Sequence, residues 1–175
     1  MFNEVYGIIL TMLIDMILFF LLYITVLLPW FRKRRQLLIG TVFSAYLMMV
    51  VMITLSPVIA SLPLVFNHPY RPINLVPFVD VIHERGDFMR QVYLNILMFV
   101  PFGFLCPMFR NKAGFLDTLV PAFLTSLTIE LVQPLVSWRI ADITDLITNT
   151  SGAVIGWLIF TMLRALISLF GKKKR

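Results

Sequence analysis

A run of about 26 residues, from Val5 to Trp30, carries a single charge at Asp15 and is long enough to cross a bilayer with tilt to spare, since about 20 residues span the hydrocarbon core. In lipid, every backbone N–H and C=O must be satisfied within the protein, and an α-helix does so inside one segment. The run is therefore read as a transmembrane helix. Its start is acidic rather than basic (Asn3, Glu4) and it lacks a small-residue cleavage site, so a retained helix is expected rather than a secretory signal. Four further apolar stretches repeat the pattern: Leu37 to Leu62, Gln91 to Phe109, Phe115 to Val136 and Ile143 to Phe170. At 59% hydrophobic and 14% charged, the 175 residues hold more apolar surface than one soluble core of that size would bury. The sequence predicts an all-α polytopic membrane protein of about five transmembrane helices, in a single domain covering residues 1–175.

The net charge of +6 would suggest nucleic acid if the basic residues were spread over a surface. They instead cluster as RKRR at 32–35 and KKKR at 172–175, flush against apolar spans, and no nucleic-acid-binding motif accompanies them. Anionic lipid headgroups are the expected partner. With Arg110 and Lys112, these clusters all fall on one side of a five-span arrangement, so the positive-inside rule predicts the N-terminus outside and the C-terminus inside, in a multi-pass protein of the cytoplasmic membrane. Cys106 is the only cysteine, which excludes an intramolecular disulfide and a CxxC pair. Asp15, in the middle of the first span, is expected to make a helix-to-helix hydrogen bond.

Between the second and third spans lies the one long break, Pro63 to Gln91. Four prolines (Pro63, Pro69, Pro72, Pro77) forbid a regular helix through its first half, and an external extended or re-entrant segment is expected there. Its second half, Val79 to Arg90, mixes apolar and charged residues as an interfacial segment would. Pro57 predicts fraying near the end of the second span, and Pro101 with Gly103 a kink inside the third.

The densest polar pattern runs from Trp138 to Gly156. At about 100° per residue, Asp142, Asp145, Asn149, Gly152 and Gly156 fall within roughly 80° of one another, so one helix face starts acidic, turns amide and ends as bare backbone. Ser126, Glu130 and Gln133 share a face of the preceding span. Asn95 is expected about 6 Å below the outer edge of the third span and Glu130 about 9 Å below that of the fourth, at 1.5 Å per residue. These groups converge on the outer leaflet, with Arg71, Arg85, Arg90 and Arg139 available at the rim. Charged groups at membrane depth are costly unless paired or bound, so the convergence marks a site.

The stretches INLVPF, the asparagine followed by FVPFGFLCP, the IELVQ segment and RIADITDLITNTSGAVIG together resemble the VanZ-like family of bacterial membrane proteins, linked to resistance to the lipoglycopeptide teicoplanin. The likeness covers residues from about 40 to about 165 with motif order intact. It implies a small polytopic protein whose shared polar positions are Asn74, Pro77, Asn95, Pro101, Gly103, Glu130, Gln133, Arg139, Asp142, Asp145, Asn149 and Gly152. The family name describes a phenotype and supplies no reaction.

Three readings of the chemistry follow from the residues. In a structural one, Arg139 pairs with Asp142 or Glu130, amides bridge helices, and Gly152 and Gly156 permit close packing. In a catalytic one, Glu130, Asp142 and Asp145 carry the reaction. With Asn149 they would offer oxygen ligands to Mg²⁺, Mn²⁺ or Ca²⁺, or two carboxylates with separated pKa values would act as acid and base. No nucleophile is evident, because Ser126 and Ser137 have no histidine at a suggestive spacing and His68 and His83 lie in the long break. In a recognition reading, Arg139, Gln133, Asn149, Asn95 and Asn74 line a groove floored by glycines that holds a membrane lipid, a lipid-linked glycan or an acylated glycopeptide. The expected activity is acting on, or binding, an anionic lipid-linked molecule of the cell envelope.

Overall fold

The computed structural model describes residues 2–30, 34–55, 73–83, 86–110, 114–136 and 140–172. Helix α1 (Phe2–Leu22) continues through a π-helical turn (Tyr23–Leu27) and a 3-10 turn (Leu28–Trp30). It is followed by α2 (Arg34–Thr54), the single-turn α3 (Val79–Ile82), α4 (Phe88–Arg110), α5 (Phe115–Val136) and α6 (Ile143–Lys172). Five of these helices are long and apolar enough to cross a membrane. The strand-free, five-span fold expected from the apolar runs is observed, with a lone parallel bridge between Asn74 and Asp142 among the described residues.

The chain divides into two compact units. The first comprises Met1–Leu75 and Thr128–Asp142. Helix α1 presents Leu10, Leu13, Ile17 and Leu21 outward, where lipid rather than water is the solvent, while Asp15 is buried at 8% exposure between two exposed neighbours. A carboxylate turned away from hydrocarbon avoids the desolvation that a lipid-facing charge would meet. Tyr23 hydrogen-bonds Thr41, joining the π-helical turn to α2. Along α2, Phe43, Tyr46, Val50 and Thr54 are buried at helical spacing, and the Phe43 and Tyr46 rings stack with centroids 6.1 Å apart. The helix is described as far as Thr54, and residues 56–62 of the expected span, with Pro57, lie outside the described residues.

The second unit comprises Val76–Leu127 and Ile143–Arg175. Its axis is the pairing of α4 with α6. A side chain on Gly152 would collide with the carbonyl oxygen of Ile96, one on Gly156 with that of Val100, and one on Gly103 with that of Ala153. The two helices therefore run parallel at backbone contact, where Cα–H groups meet carbonyl oxygens directly. Parallel third and fifth spans are what an alternating five-span chain requires. Edge-to-face pairs, Phe104 with Phe160 and Phe115 with Trp157, extend the packing toward the far end. Helix α4 begins at Phe88, a turn earlier than expected, and passes through both Pro101 and Pro107 as one helix. In a bundle, neighbouring groups can satisfy the carbonyls that such prolines release.

Of the long break, Pro63, Pro69 and Pro72 lie outside the described residues. Its described part is Asn74 at the parallel bridge, then a turn through Phe78, whose φ of 56° is left-handed, and the single turn of α3.

Candidate functional site

The first unit gathers polar groups from two sequence segments around Asp142. Glu130 and Gln133 lie three apart on α5, so both project from one face, and both are buried, at 5% and 2% exposure. The Asn74 backbone N–H donates to the Ala141 carbonyl at 2.9 Å, which brings an asparagine 68 positions earlier alongside this face. The Asn74 side-chain amide then donates to Asp142 Oδ2 at 2.7 Å, and the Asp142 backbone N–H donates to Glu130 Oε2 at 3.0 Å. Asp142 is thus held at both its backbone and its carboxylate. Gln133 Nε2 donates to the Thr54 carbonyl at 3.1 Å, at the last residue of α2.

The second unit carries its own polar file along the buried face of α6. Asp145, in the first turn, is 7% exposed and accepts from Gln91 Nε2 at 3.2 Å. A carboxylate there is favoured by the positive end of the helix dipole. Thr144 accepts the backbone N–H of Phe78 at 2.9 Å, fixing the left-handed turn. Thr148 bonds back to the Thr144 carbonyl at 2.9 Å, which satisfies its hydroxyl within the helix. One turn further, Asn149 is 2% exposed and donates through Nδ2 to Ser126 Oγ at 2.9 Å. Its Oδ1, and Nδ2 of Asn95 on α4, are buried without a hydrogen-bond partner.

The stripe of Asp145, Asn149, Gly152 and Gly156 faces protein, as its spacing implied. The glycines do not floor a groove, however: the α4 backbone already occupies that space. Glu130 and Asp142 meet directly with Asn74, and Gln133 anchors the same unit, whereas Asp145, Asn149 and Asn95 belong to the second unit. Arg139, Arg71 and Arg85 lie outside the described residues. Arg90 forms an i,i+3 ion pair with Asp87 at 3.7 Å on an exposed surface, where such pairs contribute little. Among the described residues, no three His, Cys, Asp or Glu side chains gather as a metal-ligand group. Ser126 is fully buried against the Asn149 amide, a group that cannot take its proton.

Sequence reasoning missed Gln91, Thr144 and Thr54. Gln91, an amide opening an apolar span, and Thr144, between two aspartates, were visible as polar outliers. The Thr54 contribution is a backbone carbonyl and leaves no residue-type signal.

Residues 42–164 match the family model described as VanZ/LLP1. The protein named Protein VanZ from Enterococcus faecium is similar to this chain, at 32% identity over 117 residues, which is 67% of this chain and 70% of that one. No solved structure matches it significantly.

Proposed function

Because this chain belongs to the VanZ/LLP1 family, we propose that it is a multi-pass protein of the bacterial cytoplasmic membrane associated with teicoplanin resistance. In this proposal it binds the polar head of an anionic, lipid-linked envelope molecule at Asn74, Glu130, Gln133 and Asp142. The supporting observation is the hydrogen-bonded series Asn74, Asp142, Glu130, which places two carboxylates one backbone amide apart at the end of a span. Neighbouring carboxylates in a low-dielectric setting call for a proton, an arginine or a cation to offset their repulsion. Arg139, three residues before Asp142, is the cation the sequence supplies for this purpose, and its planar fork has donors for a carboxylate and a phosphate together. Two carboxylates and an anionic head together outweigh the single arginine, so binding also calls for a proton on one carboxylate or a divalent cation. The same family likeness supports the resistance phenotype, since an outer-leaflet site meets acyl-anchored antibiotics or the lipids around them.

The experiment is titration of teicoplanin, and separately of a lipid-linked glycan, onto the purified chain in nanodiscs. Glu130→Gln and Asp142→Asn should each weaken binding about tenfold, equivalent to about 1.4 kcal/mol. Unchanged affinity in both variants, with the fold intact, would leave these residues with a structural role alone. Binding that survives while turnover of the glycan is lost would assign them to catalysis, and loss of binding in EDTA would assign the neutralising charge to a divalent cation.

A further inference from the structure

The second unit holds two buried polar atoms that complement each other. Asn95 Nδ2 is a donor and Asn149 Oδ1 an acceptor, and each is buried without a hydrogen-bond partner. Both lie beside the same helix crossing. Asn95 immediately precedes Ile96, whose carbonyl meets Gly152, and Asn149 stands three residues before Gly152, about 4.5 Å along the helix axis. Asn149 is 2% exposed and its other end is fixed to Ser126 at 2.9 Å, so its free oxygen has a set direction. Buried amide groups are almost always paired, and within a membrane-spanning bundle bulk water does not compensate for an open one.

We infer that Asn95 and Asn149 form a receptor for a neutral hydroxyl group, either the alcohol head of an amphiphile or a bound water. An O–H oxygen accepts from Asn95 Nδ2 while its hydrogen is donated to Asn149 Oδ1, so both open atoms are satisfied by one group. An ether or ester oxygen has no hydrogen for Asn149. An ammonium has no lone pair for Asn95, and a phosphate or carboxylate would set negative oxygen against Oδ1. A neutral ligand also suits the surroundings, because burying an unpaired ion in an apolar interior costs far more than burying a hydroxyl. The exposed Leu94 and Leu97, on either side of Asn95 along α4, supply apolar surface for a hydrocarbon tail. This inference rests on the second unit alone and stands or falls apart from the proposal for Glu130 and Asp142.

The test uses the full chain in nanodiscs, uniformly labelled with ¹³C and ¹⁵N, following the side-chain amide resonances of Asn95 and Asn149, assigned in the wild-type chain by triple-resonance connectivities. Titration with 1-dodecanol should shift both resonances saturably, and dodecyl methyl ether should not. Asn95→Leu should weaken the dodecanol response of Asn149 about tenfold, as expected for loss of one hydrogen bond to a buried group. Resonances unmoved by dodecanol but showing exchange cross-peaks with a long-lived water identify water as the hydroxyl. Shifts with dodecyl phosphate but not dodecanol would overturn the inference, as would equal responses to alcohol and ether, or the absence of both alcohol response and water cross-peak. The wild-type measurement decides the matter even if a leucine variant fails to fold.

Discussion

Glu130 accepts the backbone N–H of Asp142 at 3.0 Å, so a carboxylate within one span holds the segment that leads into the next. The contact needs an acceptor oxygen and does not itself need a charge. Glu130→Gln keeps that oxygen, whereas Glu130→Ala leaves a half-buried N–H without its acceptor, at a cost of about 1 kcal/mol. Thermal unfolding in detergent should therefore show Glu130→Ala destabilised well beyond Glu130→Gln. Equal losses would mean that the charge, and not the acceptor, maintains the fold.

The bond from Asn74 to Asp142 joins residues far apart in sequence at 2.7 Å. A double-mutant cycle with Asn74→Ala and Asp142→Ala should return a coupling of about 0.5–3 kcal/mol in stability. Additive losses would show that the two side chains act independently.

Gly152 has the carbonyl of Ile96 where a side chain would begin. Gly152→Leu must push α4 and α6 apart and should abolish the folded monomer peak in size-exclusion chromatography. Leu158→Gly, at an exposed position on the same helix, should lose about 1 kcal/mol, the intrinsic helix cost of glycine. Equal tolerance of the two changes would place the glycine stripe against lipid.

Orientation follows from cation placement. A cysteine introduced at Asn67 should react with an impermeant maleimide added to intact cells, and one at Lys173 should react only after lysis. The reverse pattern would invert the topology and move the polar groups to the inner leaflet.

If the family likeness carries the phenotype, expression should raise tolerance to an acylated glycopeptide more than to one without an acyl chain, read as the shift in inhibitory concentration. Identical shifts would point to a general effect on the cell wall.

The spans were legible because twenty-odd apolar residues in lipid have few alternatives to a helix. Their ends were less so. The third span is expected from Gln91, but its helix begins at Phe88, because polar residues at a helix start carry no apolar signal. Pro101 with Gly103 predicts a kink inside a continuing span, and α4 does run through both as one helix. In the candidate site, helical spacing correctly put Glu130 and Gln133 together and turned the Asn149 and Gly152 stripe toward protein. Spacing could not reveal that Asp142 would take Asn74 as its partner while Asp145 took Gln91. Those pairings depend on where distant segments are laid down, and no local period encodes them.

The parallel contact of α4 with α6 also constrains how the protein is made. At Ile96, Val100 and Gly103, α4 meets its partner through backbone atoms, and the helix that covers them leaves the ribosome only after α5 has been synthesised. Until then nascent α4 must wait in the bilayer with that surface against lipid or the insertion machinery. Slowing translation between Arg110 and Ile143 should lengthen the wait and increase degradation of the newly made chain without altering any contact in the finished one.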